Sequence, residues 1–246
     1  MITFGVTPKR KEVYEDVLYK NANFLTNTTV PLKRAGNLLL VDATVNGVSG
    51  AFVLDTGAPG LVLNATYFRD GKPTYGASGG GISGTNIKRM TKKIERFEFS
   101  GLVFEGINAD VINLRHVENS KKIKVLGLIG AKFLKDFEVI IDMRKMSMKM
   151  VQVDRKGEMV EPYLDKNVYD IQQKAFLYND VIVSYIPIAD KKVCFCLDTG
   201  AERNVIDNQS HKNVLETISI TGRSRLRGAS EERIEVLFGI MAESEV

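Results

Sequence analysis

The chain has no tryptophan, two histidines, two cysteines and six prolines among its 246 residues. His116 and His211 stand far apart, and neither shares a ligand-like spacing with Cys194 or Cys196, so no metal site is expected. The two cysteines are two apart in an apolar run. On a strand they would point to the same face, which suits a disulfide poorly and makes them candidate core thiols. No apolar run approaches the roughly 20 residues of a membrane-spanning helix. Met1 to Glu12 has no apolar stretch of signal-peptide length, so the sequence assigns no compartment. Neither sign of charge dominates: 34 basic against 30 acidic residues leave a net charge of +4. Basic pairs such as Lys88-Arg89 and Lys121-Lys122 lie among acids and read as solvated edges, so no nucleic-acid partner is expected. There is no P-loop, dinucleotide fingerprint or nucleophile elbow, and no cofactor is expected.

What is present is a repeated phrase. Phe52-Val53-Leu54-Asp55-Thr56-Gly57-Ala58 is echoed by Phe195-Cys196-Leu197-Asp198-Thr199-Gly200-Ala201, 143 residues later. A single Asp-Thr-Gly is an ordinary turn, since Asp and Gly are common turn residues. Two copies, each after an apolar strand and each followed by Ala, point to duplication of a domain.

The first copy reads as a series of strands. Leu38 to Val45 is strand-like, Asn46-Gly47 is a hairpin turn, and Ala51 to Leu54 delivers Asp55 at its end. Leu61 to Leu63 forms a short apolar strand, and Gly79-Gly80-Gly81-Ile82-Ser83-Gly84 makes a glycine-rich hairpin tip. Further strands are expected near Ile94 to Phe99 and Ala109 to Ile112. The run Leu128-Ile129-Gly130 follows, then a short helix from Ala131 to Phe137, then a hairpin of Glu138 to Asp142 with Met146 to Val153. Polar residues with Gly157 and Pro162 read as a linker. In the second copy Val181 to Ile186, a turn at Asp190-Lys191-Lys192, Val193 to Leu197 and Asn204 to Asp207 parallel the first. Thr221 to Gly228 takes the place of the glycine-rich hairpin. No counterpart of Leu128-Ile129-Gly130 precedes Val246, so the second lobe is expected to be incomplete, as in a fragment. The expected organisation is an extension at 1–29, a complete lobe at 30–153, a linker at 154–170 and a truncated lobe at 171–246.

Two facing loops of this kind suit hydrolysis by paired carboxyls. Like charges a few Å apart cannot both ionise, so Asp55 and Asp198 would share one proton and hold a water between them. One carboxylate acts as base on the water while the protonated partner donates to the carbonyl oxygen. Gly57 and Gly200 allow the tight turn, and Thr56 and Thr199 offer hydroxyls that bond across to the opposite loop.

These residues resemble the retropepsin-like aspartic proteases, the group shared by retroviral enzymes and bacterial homologues. The matching residues are Asp55-Thr56-Gly57-Ala58, the flap-like Gly79 to Gly84, and Leu128-Ile129-Gly130; alanine at 58, repeated at Ala201, is the retropepsin-like choice. The resemblance implies a mostly-β fold of two acid-protease barrel lobes in tandem, with one short helix in the first. It implies catalysis by Asp55 and Asp198, a flap that closes over an extended polypeptide, and no membrane span. A monomer would pair its own lobes. The alternatives are a homodimer joining Asp55 to its copy, or a protease-derived module that holds peptide without cutting it. Export to the periplasm or cell envelope is implied by the resemblance alone.

Overall fold

The computed structural model describes residues 2–4, 27–73, 79–80, 86–87, 90–154, 156–160, 171–227 and 233–242. Strands dominate. In the first half they are β1 (Ile2–Phe4), β2 (Asn27–Pro31), β3 (Lys33–Ala35), β4 (Leu38–Val45), β5 (Val48–Leu54), β6 (Leu61–Asn64), β7 (Lys72–Pro73), β8 (Gly79–Gly80), β9 (Asn86–Ile87), β10 (Met90–Phe99) and β11 (Leu102–Ile112). Helix α1 (Arg115–Lys121) follows, then β12 (Gly127–Ile129), β13 (Phe137–Asp142) and β14 (Ser147–Gln152). In the second half come β15 (Ala175–Tyr178), β16 (Val181–Ile188), β17 (Lys191–Cys196), α2 (Lys212–Glu216), β18 (Ile218–Arg227) and β19 (Arg233–Met241).

The first lobe closes on itself. Its sheet runs β4-β5-β12-β6-β11-β10, and β10 returns to pair with β4 at Phe97–Val45 and Phe99–Ala43, completing a six-strand barrel. The β4–β5 hairpin turns at Asn46 and Gly47, whose φ values of 47° and 82° are the paired left-handed conformations of a type I′ turn. Inside, Phe52, Phe97 and Phe104 are fully buried, and Phe133 plugs the barrel with its ring centroid 5.2 Å from Phe97 and 4.9 Å from Phe104, both edge-on. Each buried aromatic contributes about 1.5–3 kcal/mol of transfer free energy, so these rings anchor the strand that leads to Asp55.

Beside the barrel, β1-β13-β14-β2 form a four-stranded antiparallel sheet. Met148 and Met150, alternate residues of β14, are fully buried, and Met146 just before the strand is half-buried. The segment expected as an extension thus supplies both outer strands of this sheet: Ile2–Phe4 pairs with β13, and Asn27–Pro31 with β14. At the expected linker, Met159 bridges back to Val153, while 161–170 lie outside the described residues.

The repeat is retained in the second lobe at the same 143-residue offset. Strands β15-β16-β17 reproduce β3-β4-β5, and their one face packs Ile182, Ala175, Leu177 and Leu197 onto the first lobe's core. The two lobes therefore share apolar packing. The turn falls at Ala189 and Asp190 (φ 46° and 61°), and Lys191 and Lys192 are already in β17.

Three further expectations are corrected. Ala131–Phe133 is a single 3-10 turn and Phe137 already begins β13, because that residue is drawn into the ladder opposite Gln152. The lobe's α-helix is instead Arg115–Lys121, which has no fully buried residue and so no apolar stripe to reveal it. Asn204 to Asp207 is not a strand. Its counterpart β6 is held between β12 and β11, and among the described residues the second lobe has neither partner. Cys194 and Cys196 are exposed rather than core thiols, because among the described residues β17 has no counterpart of β12 and α1, which enclose the corresponding face of β5. Thr221–Arg227 keeps the place of the glycine-rich hairpin, as one arm of a long two-stranded ribbon, β18–β19; residues 228–232 lie outside the described residues.

Candidate active site

Strand β5 carries Asp55 to the lobe interface. Its amide donates to the Ile129 carbonyl at 2.9 Å, so β12 fixes where the strand ends. Gly130 is required next: a Cβ there would stand 2.3 Å from the Ala58 carbonyl oxygen and 2.5 Å from that of Gly60. The loop after Asp55 is thereby pressed against the chain that follows β12. Its carbonyls are taken up in order, Ala58 by the Ala131 amide at 2.9 Å and Pro59 by the Lys132 amide at 3.1 Å.

The two Asp-Thr-Gly loops meet with near two-fold symmetry. Asp55 Oδ1 accepts from the amides of Gly57 (3.0 Å) and Ala58 (3.1 Å); Asp198 Oδ1 accepts from those of Gly200 (2.8 Å) and Ala201 (3.0 Å). Across the interface, the Thr56 hydroxyl donates to the Leu197 carbonyl at 2.6 Å and the Thr199 hydroxyl to that of Leu54 at 2.7 Å. Each hydroxyl also accepts from the opposite threonine's amide, at 3.1 and 3.0 Å. Thr56 is completely buried, so these bonds satisfy groups that would otherwise be costly to enclose.

The glycines set the approach of the carboxyls. A Cβ on Gly57 would lie 2.5 Å from Asp198 Cγ, and one on Gly200 would lie 2.4 Å from Asp55 Cγ. Each carboxyl rests on the other lobe's glycine, and the two side chains hydrogen-bond to each other. Burial first, then the Asp198 charge and that hydrogen bond, push the Asp55 carboxyl up to about 7, against the opposing pull of the Gly57 and Ala58 amides. Val53 and Leu54, which lead into Asp55, and Val62 and Leu63 of β6 are all buried. Asp198 is exposed. The pair is symmetric in its hydrogen bonds and unequal in its burial.

Of the flap residues, Gly79–Gly80 pair antiparallel with Asn86–Ile87; Gly81, Ile82, Ser83 and Gly84 lie outside the described residues. Among the described residues no three His, Cys, Asp or Glu side chains cluster as a metal site, and no helix is long and apolar enough to cross a membrane. A second set of contacts escaped the sequence: Lys121 and Asn37 of the first lobe both engage Glu202, just past Asp198. Nothing in the local pattern of any of the three residues signals this meeting.

Residues 41–133, from β4 to Phe133, match the family described as Aspartyl protease. No curated protein matches the chain. Among solved structures, the chain is similar to the crystal structure of a retropepsin-like aspartic protease from Rickettsia conorii, with 22% identity, 50% of this chain and 88% of that chain covered, and a TM-score of 0.34.

Proposed function

We propose that the chain is an aspartic endopeptidase of retropepsin-like type in which Asp55 and Asp198 act as a pair within one molecule, a reading supported by the match of residues 41–133 to the aspartyl protease family. The observation that carries this reading is the contact of the two carboxyls through reciprocal loops, each resting on the other's glycine. The cross-lobe threonine bonds hold both carboxyls in place before substrate arrives, the preorganisation that general acid–base chemistry needs.

Two carboxyls in contact hold one proton between them over a wide pH range, and that proton belongs to the pair rather than to either residue. With Asp55 raised to about 7, the singly protonated state extends from mildly acidic to near-neutral pH. The ionised carboxylate takes a proton from a water molecule as its oxygen bonds to the scissile carbonyl carbon. The protonated carboxyl gives its proton to the carbonyl oxygen. Collapse of the tetrahedral species breaks the C–N bond, returning the hydroxyl proton to the pair and delivering a proton to the leaving nitrogen. The substrate is a polypeptide in extended conformation.

The second reading is a peptide-holding module without turnover. It draws on the exposure of Asp198 and on the lack of strand pairing for 204–207. Incubation with an unstructured protein between about pH 4 and 7 separates the two. The endopeptidase reading expects internal cleavage that disappears in Asp55→Asn. Peptide binding that survives Asp55→Asn, with no cleavage by the parent at any pH, favours the module.

A further inference from the structure

The loop after Asp198 is held from the first lobe at the position where the Asp55 loop is held by its own lobe. In the first lobe the Pro59 carbonyl accepts from the Lys132 amide at 3.1 Å, part of the chain that follows β12. At the 143-residue offset Pro59 corresponds to Glu202, and among the described residues the second lobe has no β12. Yet the Glu202 carbonyl is not left open: the Asn37 side chain, from the first lobe, donates to it at 3.3 Å. The Glu202 carboxylate is bound by the ammonium of Lys121, the last residue of α1. The Lys121 side chain is only 15% exposed and that of Glu202 39%, so the pair is shielded better than a free surface ion pair. Gly36 makes room. Its φ of 64° favours glycine, and a Cβ there would stand 2.8 Å from Lys121 Nζ.

We infer that Lys121 and Asn37 form a cross-lobe clamp on Glu202 that positions the Asp198 loop, making Glu202 and Lys121 positioning residues for the activity proposed above, on which this inference rests. The clamp is one-sided. Pro59 carries no carboxylate, so the Asp55 loop, already held by its own lobe, has no reciprocal ion pair. A loop misplaced by about 1 Å can cost on the order of 100-fold in rate with little change in binding.

The test compares parent, Glu202→Ala, Lys121→Met and the swapped pair Lys121→Glu with Glu202→Lys. It reads kcat and KM on an unstructured protein, and amide hydrogen exchange over residues 198–203. Each single change is expected to lower kcat about 10- to 100-fold with KM within about twofold, and to speed exchange at Thr199 to Arg203. The swap should recover most of both, which a general loss of stability would not do. Single variants with parental kcat and parental exchange, or a swap no better than the singles, overturn the clamp. A parent that cuts nothing sinks the protease reading instead, and the exchange data then decide the clamp alone.

Discussion

Thr56 and Thr199 grip each other across the lobe interface, each amide donating to the other's hydroxyl at 3.1 and 3.0 Å while each hydroxyl donates to the carbonyl that precedes the opposite aspartate. One side chain thus closes two bonds. Replacing Thr199 by Val, which keeps the shape and removes the hydroxyl, strands the Thr56 amide and the Leu54 carbonyl. The expected cost is about 2 kcal/mol in denaturant unfolding. The double variant with Thr56→Val should lose less than the sum, because both belong to one network.

Gly200→Ala is expected to act on chemistry more than on folding. Its Cβ would collide with Asp55 Cγ at 2.4 Å, and the carboxyl must turn away from its partner. Activity should fall at least about 100-fold while the unfolding midpoint moves little, because the Asp55 side chain can turn aside and φ at Gly200 is not in the left-handed region. Initial rates and a denaturation curve on the same sample check both halves of this expectation.

The pH dependence of stability has a fixed sign at Asp55. Its carboxyl ionises near 3.8 in the unfolded chain and near 7 in the folded one. Between those values the folded state holds the extra proton. The stabilising contribution is therefore complete below 3.8 and is lost as pH rises through 7. Asp55→Asn removes that slope. It should equal the parent near pH 4 and exceed it by about 1–3 kcal/mol near pH 8, as read by urea unfolding at the two pH values.

Asp198→Asn should lower the Asp55 titration without restoring it fully. The Asp198 charge and hydrogen bond disappear, but burial, the largest cause, remains. Carboxyl carbon chemical shifts followed through a pH series would read the move directly. An unmoved Asp55 would mean that the two carboxyls are uncoupled in solution.

Cys194 and Cys196 are both exposed on one face of β17, so a water-soluble disulfide reagent should titrate two thiols in the native chain. Cys196 should react more slowly near pH 8, since burial first, then Asp198, Asp55 and Cys194, hold its thiol pKa above the ordinary range. A native chain with no reactive thiol contradicts the open face described for the second lobe.

The sequence was most legible where local chemistry decides the structure. Asn46-Gly47 marks a hairpin because both residues accept positive φ, and the apolar run before each Asp-Thr-Gly makes a strand in both lobes. It was least legible where a distant partner decides. Leu61–Asn64 and Asn204 to Asp207 occupy the same place in the repeat, but among the described residues only the first has strands on either side, β11 and β12, to make it a strand. Likewise Val53 is enclosed and Cys196, its repeat equivalent, is only partly covered, although both sit in apolar runs. Ala131 to Phe137 has helical spacing, yet Phe133 is spent plugging the barrel and Phe137 pairs in β13. At the candidate site, the meeting of the two loops follows from the duplicated phrase, whereas Asn37, Lys121 and Glu202 come together only through the docking of the lobes.

The central claim is that Asp55 and Asp198 of one chain form the working pair. Its most direct measurement is the rate at which Asp198→Asn cleaves an unstructured protein on which the parent is active. The account predicts a fall of at least about 1,000-fold, with no recovery when Asp198→Asn is mixed with Asp55→Asn. Cleavage by Asp198→Asn at the parental rate would contradict it and would assign the activity to Asp55 paired with its copy in a second chain.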